Sequence, residues 1–172
     1  MFEGKNILIT GASKGIGRVL SKELSMHGAN IILLSKNETL LDSIYDEIAD
    51  NTSTSPCIIK CDLGSLDELR SQEIANTIFQ DYGSLDCIIH NAATIEKMSN
   101  IENFDLLSWK KIMNVNLTSS FLLSKHLLPL MKSSESPRII FTSSSVGYEG
   151  KAFWGAYSVS KGGSKILSEI LN

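Results

Sequence analysis

The chain has 172 residues, of which 42% are hydrophobic and 20% are charged, and its formal net charge is −3. This length and composition are typical of one globular domain with a hydrophobic core. Because the chain carries no run of Lys or Arg, it offers no electrostatic patch for nucleic acid or an anionic membrane. These properties favour a small-molecule partner.

The lack of a recognisable targeting signal and the positions of the cysteines favour a reducing compartment. The N-terminal sequence MFEGKNILITG lacks the regions of a secretory signal peptide, and no apolar stretch approaches the length of a transmembrane helix, so we expect a cytoplasmic location. Cys57, Cys61 and Cys87 lie in or beside apolar runs and are expected to be reduced, buried thiols. Cys57 and Cys61 could in principle share a metal ion, but no second Cys/His pair completes a tetrahedral set, and we predict no metal site.

Five short apolar runs follow one another along the chain: NILIT (6–10), NIILLS (30–35), PCIIK (56–60), LDCIIH (85–90) and RIIFTS (138–143). They are nearly continuous rather than alternating, which is typical of strands buried on both faces. Amphipathic stretches separate them, including residues 37–50, a stretch opened by the capping-box pattern SLDE (65–68), and residues 108–131. Residues 93–103 are polar, as expected of an exposed loop near a site.

This alternation predicts the fold class. It indicates an α/β fold in which a doubly wound parallel sheet has helices on both faces, giving three layers. The whole chain, residues 1–172, is predicted to be a single dinucleotide-binding Rossmann domain.

A glycine-rich loop, TGASKGIG (10–17), connects the first strand to a helical pattern. Gly11, Gly15 and Gly17 allow a tight turn and a close approach of the backbone to a diphosphate, which the helix N-terminus favours electrostatically. The spacing is GxxxGxG rather than GxGxxG, and the GK[ST] ending of a P-loop is missing, which argues against an NTPase. The loop also supplies Ser13, Lys14 and Ile16 as candidate cofactor-binding residues.

The end of the second strand predicts the choice of cofactor. A carboxylate at this position binds a ribose 2′-hydroxyl and repels a 2′-phosphate, but here Ser35 is followed by Lys36. Together with Lys14, Lys36 could bind a phosphate, so NADP(H) is favoured over NAD(H). Glu38 is the nearby acid that argues the other way, and both lysines could instead be ordinary solvent-facing charges.

The sequence YSVSK (157–161) spaces a phenol and an ammonium by one helical turn, so that they share a face. A neighbouring cation favours the phenolate form of Tyr157 and makes it a usable proton donor at neutral pH. By itself, the pair of Tyr157 and Lys161 is more often a solvated surface pair, because surface pairs far outnumber functional ones.

With TGASKGIG, CDL, HNAA, NVNL, a serine run and YSVSK in this order, nearly the whole chain resembles the classical short-chain dehydrogenase/reductases. The stretch FTSSSVGYEGKAFWGAYSVSK is similar to bacterial members described as uncharacterised oxidoreductases, which resemble oxoacyl-carrier-protein reductases. The resemblance implies that hydride passes between the nicotinamide and a carbonyl or secondary alcohol.

The resemblance also implies four catalytic residues. Tyr157 matches the proton donor, and Lys161 matches the lysine that holds the nicotinamide ribose and activates the tyrosine. Ser144 matches the serine that hydrogen-bonds the substrate oxygen, since it stands thirteen residues before Tyr157 and three before Gly147. Asn116 matches the asparagine that anchors a proton-relaying water.

Further cofactor contacts follow from the same resemblance. Asp62, followed by Leu63, matches the acid that meets the adenine amino group, and Asn91 matches the asparagine whose segment lines the adenosine ribose. The family's NNAG appears here as His90, Asn91, Ala92 and Ala93, so a methyl group replaces a glycine. His90 is interpreted as a strand-end residue beside the cofactor rather than a third acid or base.

Members of the family that this chain resembles have two further strands and a segment that closes over the substrate after the position of Asn172. Without those strands, residues 138–143 would be an uncovered edge strand that aggregates, pairs with another copy or leaves Ser144 poorly ordered. Residues 108–131 and 155–171 match the helices that form the family's dimer, so we expect a homo-oligomer. The alternative to an enzyme is a truncated, non-catalytic fragment that binds nucleotide or dimerises.

Overall fold

A computed structural model gives the structure of residues 2–172, in which strands and helices alternate. The strands are β1 (Asn6–Thr10), β2 (Asn30–Ser35), β3 (Cys57–Lys60), β4 (Cys87–His90) and β5 (Arg138–Phe141). The helices are α1 (Gly15–Met26), α2 (Glu38–Asn51), α3 (Glu68–Tyr82), α4 (Leu106–Met113), α5 (Ser119–Met131) and α6 (Gly155–Ile170). Within residues 2–172, no helix is both long enough and apolar enough to cross a bilayer.

The strands form one parallel sheet in the order β3-β2-β1-β4-β5, which confirms the predicted doubly wound architecture. The chain runs outward from β1 to β3, then returns to place β4 on the other side of β1. A crevice therefore opens between β1 and β4 at the carboxyl ends of the strands, where ligands bind in folds of this type.

Two hydrophobic layers cover the two faces of the sheet, because each strand presents alternate residues to opposite sides. On β1, Leu8 belongs to the layer that includes residues of α3 and α5, whereas Ile7 and Ile9 belong to the layer with α2. All three side chains are at most 3% exposed. The continuous apolar runs of the sequence are explained by this two-sided burial.

The starts of two helices differ from the sequence-based prediction because aspartates cap them. The predicted helix opening at residue 65 is wrong: the Asp67 carboxylate accepts from Arg70 N at 2.8 Å, and α3 begins at Glu68. Ser65 instead donates to the Asp62 carbonyl at 3.2 Å. In the same way Asp105 caps α4, so this helix begins at residue 106 rather than 108.

The predicted continuous helix over residues 108–131 is interrupted by a π-helical turn. The turn, Asn114–Thr118, joins α4 to α5 and buries Asn116, which is 3% exposed. A π-helical turn of this kind redirects one side chain and one carbonyl out of the regular helical pattern, and such turns are frequent at functional sites.

The segment before α4 runs as an extended loop over residues 91–100 and ends in a short 3₁₀ turn, Ile101–Asn103. An ion pair of 2.6 Å between Lys111 on α4 and Glu96 holds this loop against the helix. On the other side of β4, β5 is the edge strand of the described sheet, as expected, and Ile140 is 48% exposed there.

His90, the last residue of β4, is buried between β5 and α5. Its Nε2 lies 3.0 Å from the Ser124 hydroxyl, and its ring centroid lies 4.7 Å from that of Phe141. Burial lowers the pKa of His90 to about 3. The imidazole is therefore neutral at neutral pH and serves as a packing residue rather than an acid or base.

We predict that His90 makes the fold sensitive to mild acid. In the unfolded chain the imidazole binds a proton below about pH 6.5, whereas the folded chain binds it only near pH 3, so protonation favours unfolding between these values. The free energy of unfolding should fall by about 2 kcal/mol between pH 7 and pH 5 through this residue. Urea denaturation at both pH values measures it.

The His90→Asn variant should lose this part of the pH dependence, since it keeps a polar strand-end residue that does not titrate. His27→Asn is the matched control, because His27 is exposed at the end of α1. An equal loss of stability between pH 7 and pH 5 in the wild type and in His90→Asn would contradict the prediction.

Candidate active site

A cleft of about 630 Å³ opens at the carboxyl ends of the strands. Most of the predicted cofactor-binding residues line it: Gly11, Lys14, Gly15, Ser35, Lys36, Asp62, Leu63, Asn91, Ala92 and Ala93. The same cleft is lined by residues that were not predicted: Cys61, Gly64, Ser65, Thr94, Lys111 and Val115. It is therefore built from the glycine loop, the ends of β2, β3 and β4, and the start of the π-helical turn.

The glycine loop packs directly against the backbone that follows β4. A Cβ added to Gly11 would lie 3.0 Å from Ala92 Cα, and one added to Gly17 would lie 2.3 Å from the Gly11 carbonyl oxygen. Gly11 also has a φ of +67°, which side-chain-bearing residues rarely adopt. Close backbone contact therefore requires glycine at Gly11 and at Gly17. Gly17 packs against the Gly11 backbone and does not line the cleft.

Thr10, at the end of β1, joins β1 to the start of the loop after β4. Its hydroxyl accepts hydrogen bonds from the backbone N–H groups of Asn91 and Ala92, both at 3.0 Å. The Asn91 side chain in turn donates to the Thr10 carbonyl at 3.0 Å. These bonds satisfy buried polar groups at the crevice and fix where Asn91 and Ala92 face the cleft.

The backbone of Ala93 explains how the methyl group is tolerated in place of the family's glycine. Within residues 2–172, Phe153 is the only non-glycine residue with a positive φ. Ala93 therefore lies outside the left-handed region, and its loop does not need a glycine-only conformation.

The last residue of β2 is Ser35, which is polar but is not an acid. The hydroxyls of Ser35 and Ser13 lie 2.8 Å apart, so the buried Ser13 contacts the strand end and does not line the cleft. Lys36 reaches to 3.9 Å from Asp62, and both side chains are more than half exposed, so this pair is weak and can be displaced. Glu38 is paired with Lys60 and lies outside the cleft lining.

Tyr157 and Lys161 lie on the first two turns of α6, as predicted. The Lys161 ammonium is 5.9 Å from the centroid of the Tyr157 ring and donates to the Thr142 carbonyl at 2.6 Å. Lys161 is only 3% exposed, and burial lowers its pKa from the ordinary value because desolvation disfavours the ammonium. Such burial excludes the solvated surface pair as an explanation for this lysine.

Asn116 connects the loop after β4 to α6. Its side chain accepts from Thr94 N at 2.8 Å, and donates to the Thr94 carbonyl at 3.0 Å and to the Ser160 hydroxyl at 3.0 Å. The Asn116 carbonyl accepts from Ser164 at 3.1 Å. The sequence analysis did not predict Thr94, Ser160 and Ser164 as site residues. The two serines lie one turn apart on α6, the helix that carries the YSVSK motif.

Ser144 follows β5 in an extended conformation, and the next residues form a short 3₁₀ turn, Ser145–Gly147. This turn docks on α6: a Cβ on Gly147 would lie 2.8 Å from the Lys161 backbone, and Ser158 donates to the Val146 carbonyl. The glycine three residues after Ser144 is therefore needed for contact with α6. Ser143 and Ser145 are exposed, whereas Ser144 is half-buried.

The structure thus arranges the predicted residues in two groups. The large cleft contains the cofactor residues named above, while Asn116, Ser144, Tyr157 and Lys161 surround the start of α6 and do not line that cleft. Ile16 is 62% exposed in the first turn of α1 and does not line it either. Thr94 joins the groups, since it lines the cleft and bonds Asn116.

Phe153, just before α6, has a φ of +71°. This left-handed conformation is unfavourable for a bulky side chain and costs on the order of 1–3 kcal/mol. The ring is 58% exposed, so burial contributes little to offset the strain. Neither composition nor motif spacing predicts this conformation, because no glycine or asparagine marks the position.

Comparison with known proteins shows the family. The sequence model of the family described as short chain dehydrogenase matches residues 5–172. The uncharacterised oxidoreductase YciK of Escherichia coli K12 is 36% identical over 165 residues, which are 96% of this chain and 66% of YciK. The NADPH-dependent pterin aldehyde reductase of Arabidopsis thaliana is 31% identical over 157 residues, which are 91% of this chain and 63% of that enzyme.

Among solved structures, a short chain dehydrogenase of Shigella flexneri 2a complexed with NADP superposes with a TM-score of 0.96 at 34% identity. The superposition covers 99% of this chain and 71% of the Shigella protein. This chain therefore spans about two thirds of the length of the curated relatives described above. The strand order, the glycine loop and the family match together establish that the chain belongs to the short-chain dehydrogenase family.

Proposed function

We propose that this chain supplies the cofactor cleft and the catalytic side chains of an NADP(H)-dependent oxidoreductase acting on a carbonyl or secondary alcohol. The observation that carries the proposal is the hydrogen-bonded connection from the cleft to α6. Thr94 lines the cleft and bonds Asn116, and Asn116 bonds Ser160, which lies between Tyr157 and Lys161. The names of the Arabidopsis enzyme and the Shigella complex support the same cofactor.

The residues of the cleft fit a dinucleotide. Gly15 has a φ of +56° and no heavy atom within 4 Å of where a Cβ would stand, so the backbone there is open to close approach of a diphosphate, and the free N–H groups at the start of α1 favour an anion. Asp62 lines the cleft and would meet the adenine amino group, and Asn91, which Thr10 holds at the cleft wall, would lie beside the ribose. Lys161 would hold the nicotinamide ribose.

The catalytic residues then have separate tasks. When bound, the nicotinamide supplies or accepts the hydride. Tyr157 donates its phenolic proton to the carbonyl oxygen that becomes the hydroxyl, and Ser144 donates a hydrogen bond to the same oxygen. Burial favours loss of a proton from Lys161, which suits a residue that passes protons to Tyr157.

Asn116 acts through its backbone. Both N–H groups of its amide donate, to the Thr94 carbonyl and to the Ser160 hydroxyl, its side-chain oxygen accepts from Thr94 N, and its backbone carbonyl accepts from Ser164. A carbonyl oxygen has two lone pairs, so a water can occupy the second one and relay protons towards Lys161.

The preference for NADP(H) rests on the charges at the end of β2. Lys14 and Lys36 line this part of the cleft, and Ser35 provides a hydroxyl instead of a carboxylate. Glu38, which could have repelled a 2′-phosphate, is engaged by Lys60. Asp62 is the remaining acid of the lining, and its weak pair with Lys36 can be replaced by a phosphate partner.

We predict that NADPH binds at least tenfold more tightly than NADH and that Lys36→Ala removes about tenfold of the NADPH affinity, the effect of one charged hydrogen bond to phosphate. NADH binding should change little, because NADH has no 2′-phosphate. Lys132→Ala is the matched control, since Lys132 is an exposed lysine at the end of α5 and does not line the cleft. Fluorescence titration of the wild type and the two variants measures all six affinities, and equal losses for both cofactors in Lys36→Ala would contradict the assignment.

We predict that Tyr157→Phe lowers kcat by about 10²-fold or more, since it removes the proton donor. Its affinity for NADPH should stay close to that of the wild type. Tyr148→Phe is the control, because Tyr148 is 66% exposed on the turn before α6. NADPH oxidation with a panel of aldehydes and ketones provides the assay, and undiminished turnover by Tyr157→Phe would exclude Tyr157 as the acid.

The same assay separates the enzyme from the alternative, a nucleotide-binding or dimerising module without catalysis. Saturable NADPH binding with no turnover of any carbonyl in the panel would favour the module. Turnover that depends on Tyr157 would favour the oxidoreductase.

We further propose that the chain self-associates through helices α4, α5 and α6. Large apolar side chains are exposed on each of them: Leu107 is 75% exposed on α4, Phe121 49% on α5 and Ile166 52% on α6. Such side chains gain from burial against a second copy.

Sedimentation velocity at micromolar concentration should therefore show a dimer or larger assembly, and Phe121→Asp should shift the chain towards monomer. Phe79→Asp on α3 is the control, because Phe79 is similarly exposed at 60%. A monomeric wild type, or equal dissociation by both variants, would contradict this interface.

A further inference from the structure

Lys111 lines the cofactor cleft, but the sequence motifs give it no role. Among residues 2–172, the lining of this cleft carries three cations, Lys14, Lys36 and Lys111, and one acid, Asp62. Lys14 and Lys36 lie at the glycine loop and the end of β2, where the proposed 2′-phosphate would bind. Lys111 lies instead on α4, four residues before Val115, which lines the cleft as well. The third lysine therefore belongs to a different wall.

The Lys111 ammonium is paired with an acid of the loop after β4. Its Nζ lies 2.6 Å from a carboxylate oxygen of Glu96. The Glu96 side chain is 28% exposed and that of Lys111 is 52% exposed, so the acid is the more buried partner and the cation is the one that faces the cleft. The pair thus places one positive and one negative charge at the edge of the cofactor cleft.

Asp62 is a second acid on the same part of the cleft. Its carboxylate accepts from Gly64 N at 3.0 Å, and Gly64 lies between Asp62 and Val115. A Cβ on Gly64 would stand 3.3 Å from Asp62 Oδ1 and 3.6 Å from Val115 Cγ2. Glu96, and to a smaller extent Asp62, raise the pKa of Lys111, because both carboxylates favour its charged form.

The three groups together carry one net negative charge, because Lys111 neutralises one of the two carboxylates. Without Lys111, two carboxylates would stand beside the place of an anionic ligand and would repel it. Lys36 is 3.9 Å from Asp62, but the proposed function assigns Lys36 to the 2′-phosphate. Lys111 is therefore the cation that stays beside the two acids when the cofactor binds.

We infer that Lys111 is a further cofactor-affinity residue, whose ammonium neutralises Glu96 and Asp62 so that this wall of the cleft accepts an anionic dinucleotide. The inference rests on the proposed function, because it requires NADPH or NADH in the cleft, but it does not require catalysis. Both cofactors carry the diphosphate, so Lys111 should act on both, whereas Lys36 should act on NADPH alone.

The first test removes the charge of Lys111 and keeps its length. Lys111→Met should raise the Kd for NADPH and the Kd for NADH about threefold each, as expected for one partly exposed charge. Lys110→Met is the matched control, because Lys110 is the exposed neighbour on α4 and does not line the cleft. Its two Kd values should stay within about 1.5-fold of the wild type, since solvent screens a more distant charge.

A second pair of variants separates the charge of Lys111 from a role in holding the loop. Glu96→Gln should lower both Kd values about threefold, because it removes a repelling carboxylate and leaves Lys111 in place. The double variant Glu96→Gln/Lys111→Met has the local net charge of the wild type and should bind within about 1.5-fold of it. Glu102→Gln, at an exposed acid before α4, is the control and should change neither Kd.

The inference is overturned if Lys111→Met keeps both wild-type Kd values or if Lys110→Met weakens binding equally. It is also overturned if the double variant binds as weakly as Lys111→Met, because Lys111 would then act by holding the loop. A wild type that binds neither cofactor overturns it together with the proposed function. If the wild type shows the expected differences in Kd but reduces no carbonyl, the proposed catalysis fails and the role of Lys111 stands.

Discussion

The buried amide of Asn116 is the interaction on which the arrangement of the site depends. Three hydrogen bonds from this one side chain join the loop after β4 to the first turns of α6. A primary amide buried without partners would be costly, so the loop, the π-helical turn and α6 must all adopt positions that satisfy it. The cleft at the strand ends and α6 consequently form a single connected structure.

Desolvation acts on two ionisable groups of the same region with different consequences. His90 is buried with only a hydroxyl and a ring beside it, so it remains neutral and contributes packing. Lys161 is also buried, but its ammonium donates to the Thr142 carbonyl, which compensates part of the loss of water. Burial lowers the pKa of both groups, but only Lys161 has an ammonium hydrogen bond that offsets part of the desolvation.

The sequence predicts the sheet, the helices and the glycine loop because these features depend on local patterns, whereas the resemblance to the family supplied the cleft residues Asp62 and Asn91. Continuous apolar runs mark doubly buried strands, and glycines mark the close contacts at Gly11 and Gly17. The predicted starts of α3 and α4 were less accurate, because several neighbouring polar residues could cap each helix and the caps are Asp67 and Asp105. The π-helical turn has no local signature, since it is stabilised by the tertiary contacts of Asn116.

The contact between Gly147 and the Lys161 backbone has a consequence for substrate range. With no side chain on Gly147, the turn after Ser144 packs directly on the α6 backbone, which fixes Ser144, the proposed hydrogen-bond donor, relative to Lys161. If the proposed function holds, we expect differences in substrate size to arise where the walls are side chains, in residues 148–154 and in the loop before α4. The proposed reacting centre would then be fixed, and only its surroundings would adapt to new substrates.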